Sequence, residues 1–177
     1  MRNAFSDNTY CEYVVVFGQN IRRAREKKNL RICQLASLSG YDRLCLSRLE
    51  YGTQNIQYRS ALDLAKALNT PYPDLFSRNY LNEQDNDRFN YSCGYSEDDF
   101  LLVYAENIRR ELRMYGINQT RIYIESGVPE SVISRIMNGK DKNPTIQTLC
   151  KIAAVTNRDL NYLFSRTTNI TEAEETT

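Results

Sequence analysis

The chain has 177 residues, 41% hydrophobic and 25% charged, with a net charge of +1. That balance suits a folded globular protein with room for one medium domain or two small ones. It contains no histidine, which excludes histidine acid–base catalysis, Ser-His triads and histidine metal sites together.

Other features narrow the class further. No apolar run approaches the roughly 20 residues needed to span a bilayer, and residues 1–6 lack the layout of a secretory signal. A cytoplasmic protein without a membrane partner is the expectation. The five cysteines, Cys11, Cys33, Cys45, Cys93 and Cys150, are irregularly spaced with no Cys-x-x-Cys pair. Zinc is therefore not expected; reduced thiols are, several of them acting as small buried apolar groups. The 7 glycines form no phosphate-cradling loop. No catalytic residue, metal, cofactor or small-molecule ligand is assigned.

Charge is unevenly spread. Residues 1–78 hold 12 basic and 7 acidic side chains (+5), 79–100 hold 1 and 6 (−5), 101–166 hold 10 and 6 (+4), and 167–177 hold 0 and 3 (−3). Two basic modules, suited to attracting phosphate, alternate with acidic segments; acidic segments also simply stay solvated.

An internal repeat organises the chain. Asn20-Ile21-Arg22-Arg23 recurs as Asn107-Ile108-Arg109-Arg110, an offset of 87 shared by Gly40 and Gly127, Ser47 and Ser134, and Gly52 and Gly139. Later the offset is 88, pairing Ala65 with Ala153 and Leu75-Phe76-Ser77-Arg78 with Leu163-Phe164-Ser165-Arg166. One residue is inserted between Gly139 and Leu149, which marks a loop. In chain order, Val14, Phe17 and Ile21 stripe a first helix that stops near Asn29. Helices are predicted over about 32–38, ending at Gly40, then about 43–51, capped by Asp42 and ending at Gly52, and about 60–68. A last short helix carries Leu75-Phe76. The second repeat follows suit: a stripe of Leu101, Tyr104 and Ile108 stopping near Gly116, then about 119–126, 130–138 and 146–155, then Leu163-Phe164. No strand alternation is evident. Two copies read as two separate small domains, 1–78 and 96–166, with an acidic, Tyr-containing linker at 79–95 and a disordered acidic tail at 167–177.

A helix, a tight Gly-containing turn and a second helix make a helix-turn-helix unit. Ile117-Asn118-Gln119, Ser126-Gly127-Val128, Ile133-Ser134-Arg135-Ile136 and Asn138-Gly139-Lys140 resemble the Cro/lambda-repressor (XRE-like) family. So do Leu35-Ala36, Gly40, Leu46-Ser47-Arg48-Leu49-Glu50 and Gly52 in the first copy. The resemblance covers about 14–78 and 101–166. It implies an all-α fold of two tandem five-helix lambda-repressor-like DNA-binding domains, and sequence-specific binding to double-stranded DNA to regulate transcription. It also implies a pose: the third helix enters the major groove and its N-terminal residues face base edges.

In that pose the outward residues of the first copy are Arg43, Leu44, Ser47 and Arg48. Arginine can bridge guanine O6 and N7, and leucine can pack on a thymine methyl; as plain surface residues they would be solvated charges and one unremarkable leucine. In the second copy the matching residues are Glu130, Ser131, Ser134 and Arg135. Glu130 can accept from cytosine N4 or simply favour the first helical turn as a negative charge. Gln119 occupies a backbone-clamping position, and the loop with Lys140 and Lys142 offers two cations and free backbone amides to phosphate. The first copy departs here, with Ile32 in place of Gln119 and no lysine in its loop. The Arg22-Arg23 and Arg109-Arg110 pairs could add phosphate contacts, but surface charge is the first reading of each pair. The family's pairing of a helix-1 arginine with a glutamate ending helix 3 maps onto Arg25 and Glu50; both equivalents, Leu112 and Met137, are apolar, as a shared buried contact demands.

As a flexible coil, the 17-residue linker would have a reach of about 20–25 Å; stretched, it exceeds about 50 Å, so half-sites one DNA turn (about 34 Å) apart are attainable. Tyr80, Phe89, Tyr91 and Tyr95 would instead suit packing between domains. Repression by occluding a promoter is the economical function. The competing reading is a protein-interaction or antitoxin-like adaptor in which one or both repeats no longer touch DNA, favoured by Ile32, Leu44, Cys45 and Glu130. The family's habit of pairing through C-terminal helices leaves a homodimer open.

Overall fold

The computed structural model describes residues 8–78 and 99–165. The linker, its aromatic residues, the tail, Cys11 and Cys93 lie outside these or have no described side chain. Repeat 1 comprises α1 (Asn8–Lys27), α2 (Ile32–Ser39), α3 (Arg43–Glu50), α4 (Tyr58–Ala67) and a 3-10 turn (Pro73–Phe76). Repeat 2 comprises α5 (Asp99–Met114), α6 (Gln119–Ser126), α7 (Glu130–Met137), α8 (Ile146–Ala154) and α9 (Leu160–Phe164). The elements expected from periodicity are present, with ends shifted by one or two residues.

Local chemistry explains the boundaries. The Asp42 carboxylate accepts from the Cys45 amide at 2.9 Å and caps α3. Asn118 caps α6 by accepting from the Arg121 amide at 2.8 Å. Between α2 and α3, and again between α6 and α7, the chain reverses through Gly40 and Gly127, both at φ 67°. A side chain would be strained in that left-handed region, so glycine sets the angle between the paired helices. Asn29 (φ 54°) and Gly116 (φ 61°) end the first helix of each repeat in the same way.

Each repeat buries the expected stripe: Val14, Phe17 and Ile21 in one, Leu101, Tyr104 and Ile108 in the other. Asn20 and Asn107 are buried beside them as matched polar anchors. Asn20 Nδ2 donates to the Leu75 and Ser77 carbonyls at 3.1 and 2.8 Å. Asn107 Nδ2 donates to the Leu163 and Ser165 carbonyls at 3.0 and 2.9 Å. Each asparagine thereby ties the first element of its repeat to the last. Of the described cysteines, only Cys150 is fully buried, with its thiol pKa pushed up by desolvation. Cys33 is exposed and Cys45 half-buried, so the reading of several cysteines as core groups holds for one of the three.

A single buried cluster runs through both repeats. Gln57 and Thr145 form an isolated antiparallel bridge, and at the offset of 88 they are each other's equivalents. Tyr58 N donates to Pro144 O and Ile146 N donates to Ile56 O, both at 2.9 Å; the same offset interchanges these two bonds. Asn143 Oδ1 accepts from the Arg59 amide at 2.9 Å, and Asn55 Oδ1 accepts from the Gln147 amide at 3.2 Å. Each repeat thus caps the other's fourth helix, whose own N-cap position in α4, Gln57, makes no side-chain cap bond. The relation is that of a two-fold dimer made within one chain.

Aromatic packing extends this contact. Phe76 meets its own equivalent Phe164 with ring centroids 5.3 Å apart. Tyr72, fully buried, meets Tyr58, Phe76, Phe100 and Phe164 at 5.0 to 5.6 Å. Each such pair is worth about 0.5–1.5 kcal/mol beyond the area it buries. Tyr13 Oη donates to Asp159 at 2.8 Å at the rim; burial first, and then this carboxylate, push the Tyr13 pKa up to about 12. Periodicity marks Phe76 and Phe164 as core without saying whose core, which is why the docking was not read from sequence.

Candidate nucleic-acid interface

Each repeat presents the second helix of its helix-turn-helix unit in the same way. In α3, Leu46 and Leu49 are fully buried, so Arg43, Leu44 and Arg48 face solvent and Ser47 lies at the boundary. Leu44 is 67% exposed. In α7, Ile133 and Ile136 are fully buried. Glu130, Ser131 and Arg135 are exposed, and half-buried Ser134 accepts from Asn138 Nδ2 at 3.2 Å. The sequence-assigned recognition residues therefore fall on one face of each helix. Among the described residues Arg43, Glu130 and Arg135 have no ion-pair partner.

The flanking positions separate the repeats. Gln119 is exposed at the first position of α6, and Lys140 and Lys142 are exposed in the loop after α7. Ile32, at the matching start of α2, is half-buried against the core. Most of the loop amides, expected to be free for phosphate, are engaged. Lys140 N and Asp141 N both donate to the Arg135 carbonyl at 2.8 and 3.0 Å, and Gly139 N to Ile136 O at 3.0 Å. The cause is the left-handed turn at Gly139, φ 64°, which folds the chain back so that these amides satisfy the last carbonyls of α7. Of the loop's donors, the exposed Lys140 and Lys142 side chains and the Lys142 amide are not taken up by the described hydrogen bonds.

The paired arginines of the first helices make contacts within the chain, with Arg22 and Arg109 exposed. Arg22 pairs with Glu26 at 2.9 Å, and Arg23 donates to Asn20 Oδ1 at 3.1 Å. Arg109 donates to the Met137 carbonyl, and Arg110 donates to the Tyr162 hydroxyl at 2.8 Å.

Two contacts set the attitude of α3. Arg25 grips Glu50 with two bonds, Nε to Oε1 at 2.6 Å and Nη2 to Oε2 at 2.8 Å, and donates a third to Leu30 O at 2.9 Å. Its guanidinium pKa is raised, first by the bond to Glu50. This clamps the end of α3 onto α1. In repeat 2 the same place is filled by buried Leu112 and Met137. Beside it Gly18 brings α1 against α3 so closely that a Cβ there would collide with the Leu49 carbonyl oxygen.

Sequence reasoning missed a cluster in repeat 2. Glu111, 1% exposed, accepts from Arg158 at 2.9 Å and from the Tyr162 hydroxyl at 3.0 Å, and it holds α5, α9 and the turn between α8 and α9 together. It also missed the exchange of caps by Asn55 and Asn143; identical asparagines at the start of both fourth helices were the available signal. Among the described residues no group of side chains could hold a metal ion, and no helix is long and apolar enough to cross a membrane.

Comparison with known proteins agrees with this geometry. A family model described as Helix-turn-helix matches twice, at residues 21–75 and 108–163, together more than half of the chain. Control protein C.SmaI of Serratia marcescens is 35% identical over 80 residues, 45% of this chain and 95% of that protein. The HTH-type transcriptional regulator SlrR of Bacillus subtilis is 38% identical over 63 residues, 36% of this chain and 40% of its own. The HTH-type transcriptional repressor RghR of the same organism is 35% identical over 69 residues, 38% of this chain and 51% of its own. This chain thus spans about half or less of the two Bacillus proteins. No solved structure matches it.

Proposed function

This chain belongs to the helix-turn-helix family, and we propose on that premise that it binds double-stranded DNA sequence-specifically as a transcriptional repressor, reading two half-sites with α3 and α7. The observation that carries the reading is the reciprocal contact about Gln57 and Thr145, which joins two complete helix-turn-helix units into one body. Arg43, Leu44, Ser47 and Arg48 read one half-site, and Glu130, Ser131, Ser134 and Arg135 read the other. Gln119, Lys140 and Lys142 hold phosphates. Repression follows the role that one relative is named for and needs only that the bound protein cover a promoter. A matched relative almost wholly covered by 80 residues is one repeat long; here two repeats occupy one polypeptide.

A second reading has its own observation. Repeat 1 exposes Leu38 and Leu44 at 62% and 67%, and Tyr51 near the end of α3. Such a surface also suits a protein partner, with repeat 2 alone on DNA.

Selection from random duplex DNA by the full-length protein, with affinities measured at two salt concentrations, tests both. Two motifs at fixed spacing, with affinity falling steeply as salt rises, support the bipartite regulator. One short motif supports the second reading. No enriched motif and no salt-sensitive binding overturn DNA recognition altogether.

A further inference from the structure

We infer that the operator is a palindrome broken at defined positions, so that the protein binds it in one orientation; the inference rests on the bipartite reading above. The two-fold relation within the chain presents α3 and α7 as equivalents, yet their outward residues are only half equivalent. Ser47 matches Ser134 and Arg48 matches Arg135, while Arg43 faces Glu130's role and Leu44 faces Ser131's. A symmetric frame carrying an asymmetric face reads a site that is symmetric only in part.

The chemistry of the mismatch is specific. Arg43 offers a fork of donors and no acceptor, and it fits guanine O6 and N7. Glu130 offers only acceptors and fits the cytosine N4 amine. At matching steps the half-sites then carry a G·C pair turned end for end. Leu44 favours a thymine methyl at the next step, where Ser131 tolerates several bases.

Helix stability accounts for Glu130 but not for Arg43. Both residues open their helices, where the dipole favours a negative charge and disfavours a positive one. Glu130 suits that position; Arg43 opposes it and has no ion-pair partner among the described residues to compensate. All four side chains are exposed, so their exchange leaves the core intact.

The test is a selection from random duplex DNA with the full-length protein and two double variants, R43E/L44S and E130R/S131L, each checked for an unchanged thermal melt. The natural protein should enrich a site whose halves agree at the steps facing Ser47, Arg48 and their equivalents and differ at the others. It should prefer that site to either perfect palindrome by roughly tenfold or more. Each variant should enrich a palindrome, one of each kind. A perfect palindrome selected by the natural protein overturns the inference and leaves the bipartite reading standing. So does an asymmetry that both variants retain. The absence of any two-part, salt-sensitive site overturns the bipartite reading itself and the inference with it.

Discussion

Arg25 and Glu50 show what one side-chain pair contributes here. Their side chains are 13% and 5% exposed, so removing one strands a charge that water no longer reaches. Arg25→Leu alone should cost about 3–5 kcal/mol in urea denaturation, whereas R25L/E50M, which copies Leu112 and Met137, should recover most of that loss. An equal loss in both variants would mean that the pair acts independently of charge burial. At the proposed DNA face the separable residues are Lys140 and Lys142. Each change to alanine should weaken binding to all sequences alike and lower the slope of log affinity against log salt by about 1. The Arg25–Glu50 pair was readable in advance because the family resemblance places such a pair there and both partners change together between the repeats. The Glu111–Arg158–Tyr162 cluster was not, because repeat 1 has Ala24 at the equivalent of Glu111 and no pattern within one helix reveals a partner 47 residues away.

The helices are placed by their ends. Asp42 holds the start of α3 with its carboxyl pKa depressed, chiefly by the Cys45 amide. A carboxylate whose folded pKa lies below its unfolded value adds stability at neutral pH and loses it as pH falls through the depressed value. Asp42→Asn keeps an acceptor but removes the titration, so its urea midpoint should vary less than that of the natural protein from about pH 6 to about pH 2. The exchanged caps make a second prediction. Asn143→Ala should cost about 1 kcal/mol and raise hydrogen exchange at the Arg59 amide, in the other repeat; protection unchanged at that amide would refute the exchange. Periodicity and turn residues supplied the elements and Asp42's role, because both are local. A cap reaching 84 residues along the chain is a tertiary event, and no local signal encodes its direction.

Across the whole molecule, the fold should melt as one unit. Phe164 is fully buried and meets Tyr72 and Phe76 of the other repeat as well as Tyr104 of its own. Phe164→Ala should cost about 3–5 kcal/mol and move one coincident transition, seen by both circular dichroism and tyrosine fluorescence. Two separated transitions would show repeats that fold independently. The sequence repeat made the duplicated architecture and the outward faces of α3 and α7 predictable, since each rests on spacing within a repeat. How the copies meet depends on the pairing of equivalent positions about Gln57 and Thr145, and a repeat read as two similar strings carries no record of that pairing.

On the proposed function, the bridge between Gln57 and Thr145 also sets the dose response. When a two-part reader must first assemble from separate chains, the active species at low abundance grows with the square of the amount synthesised. Here the second half arrives with the first by folding. On the proposed function, operator occupancy at low abundance rises in direct proportion to copy number, and a cell that inherits half the molecules keeps half the repressing capacity rather than a quarter.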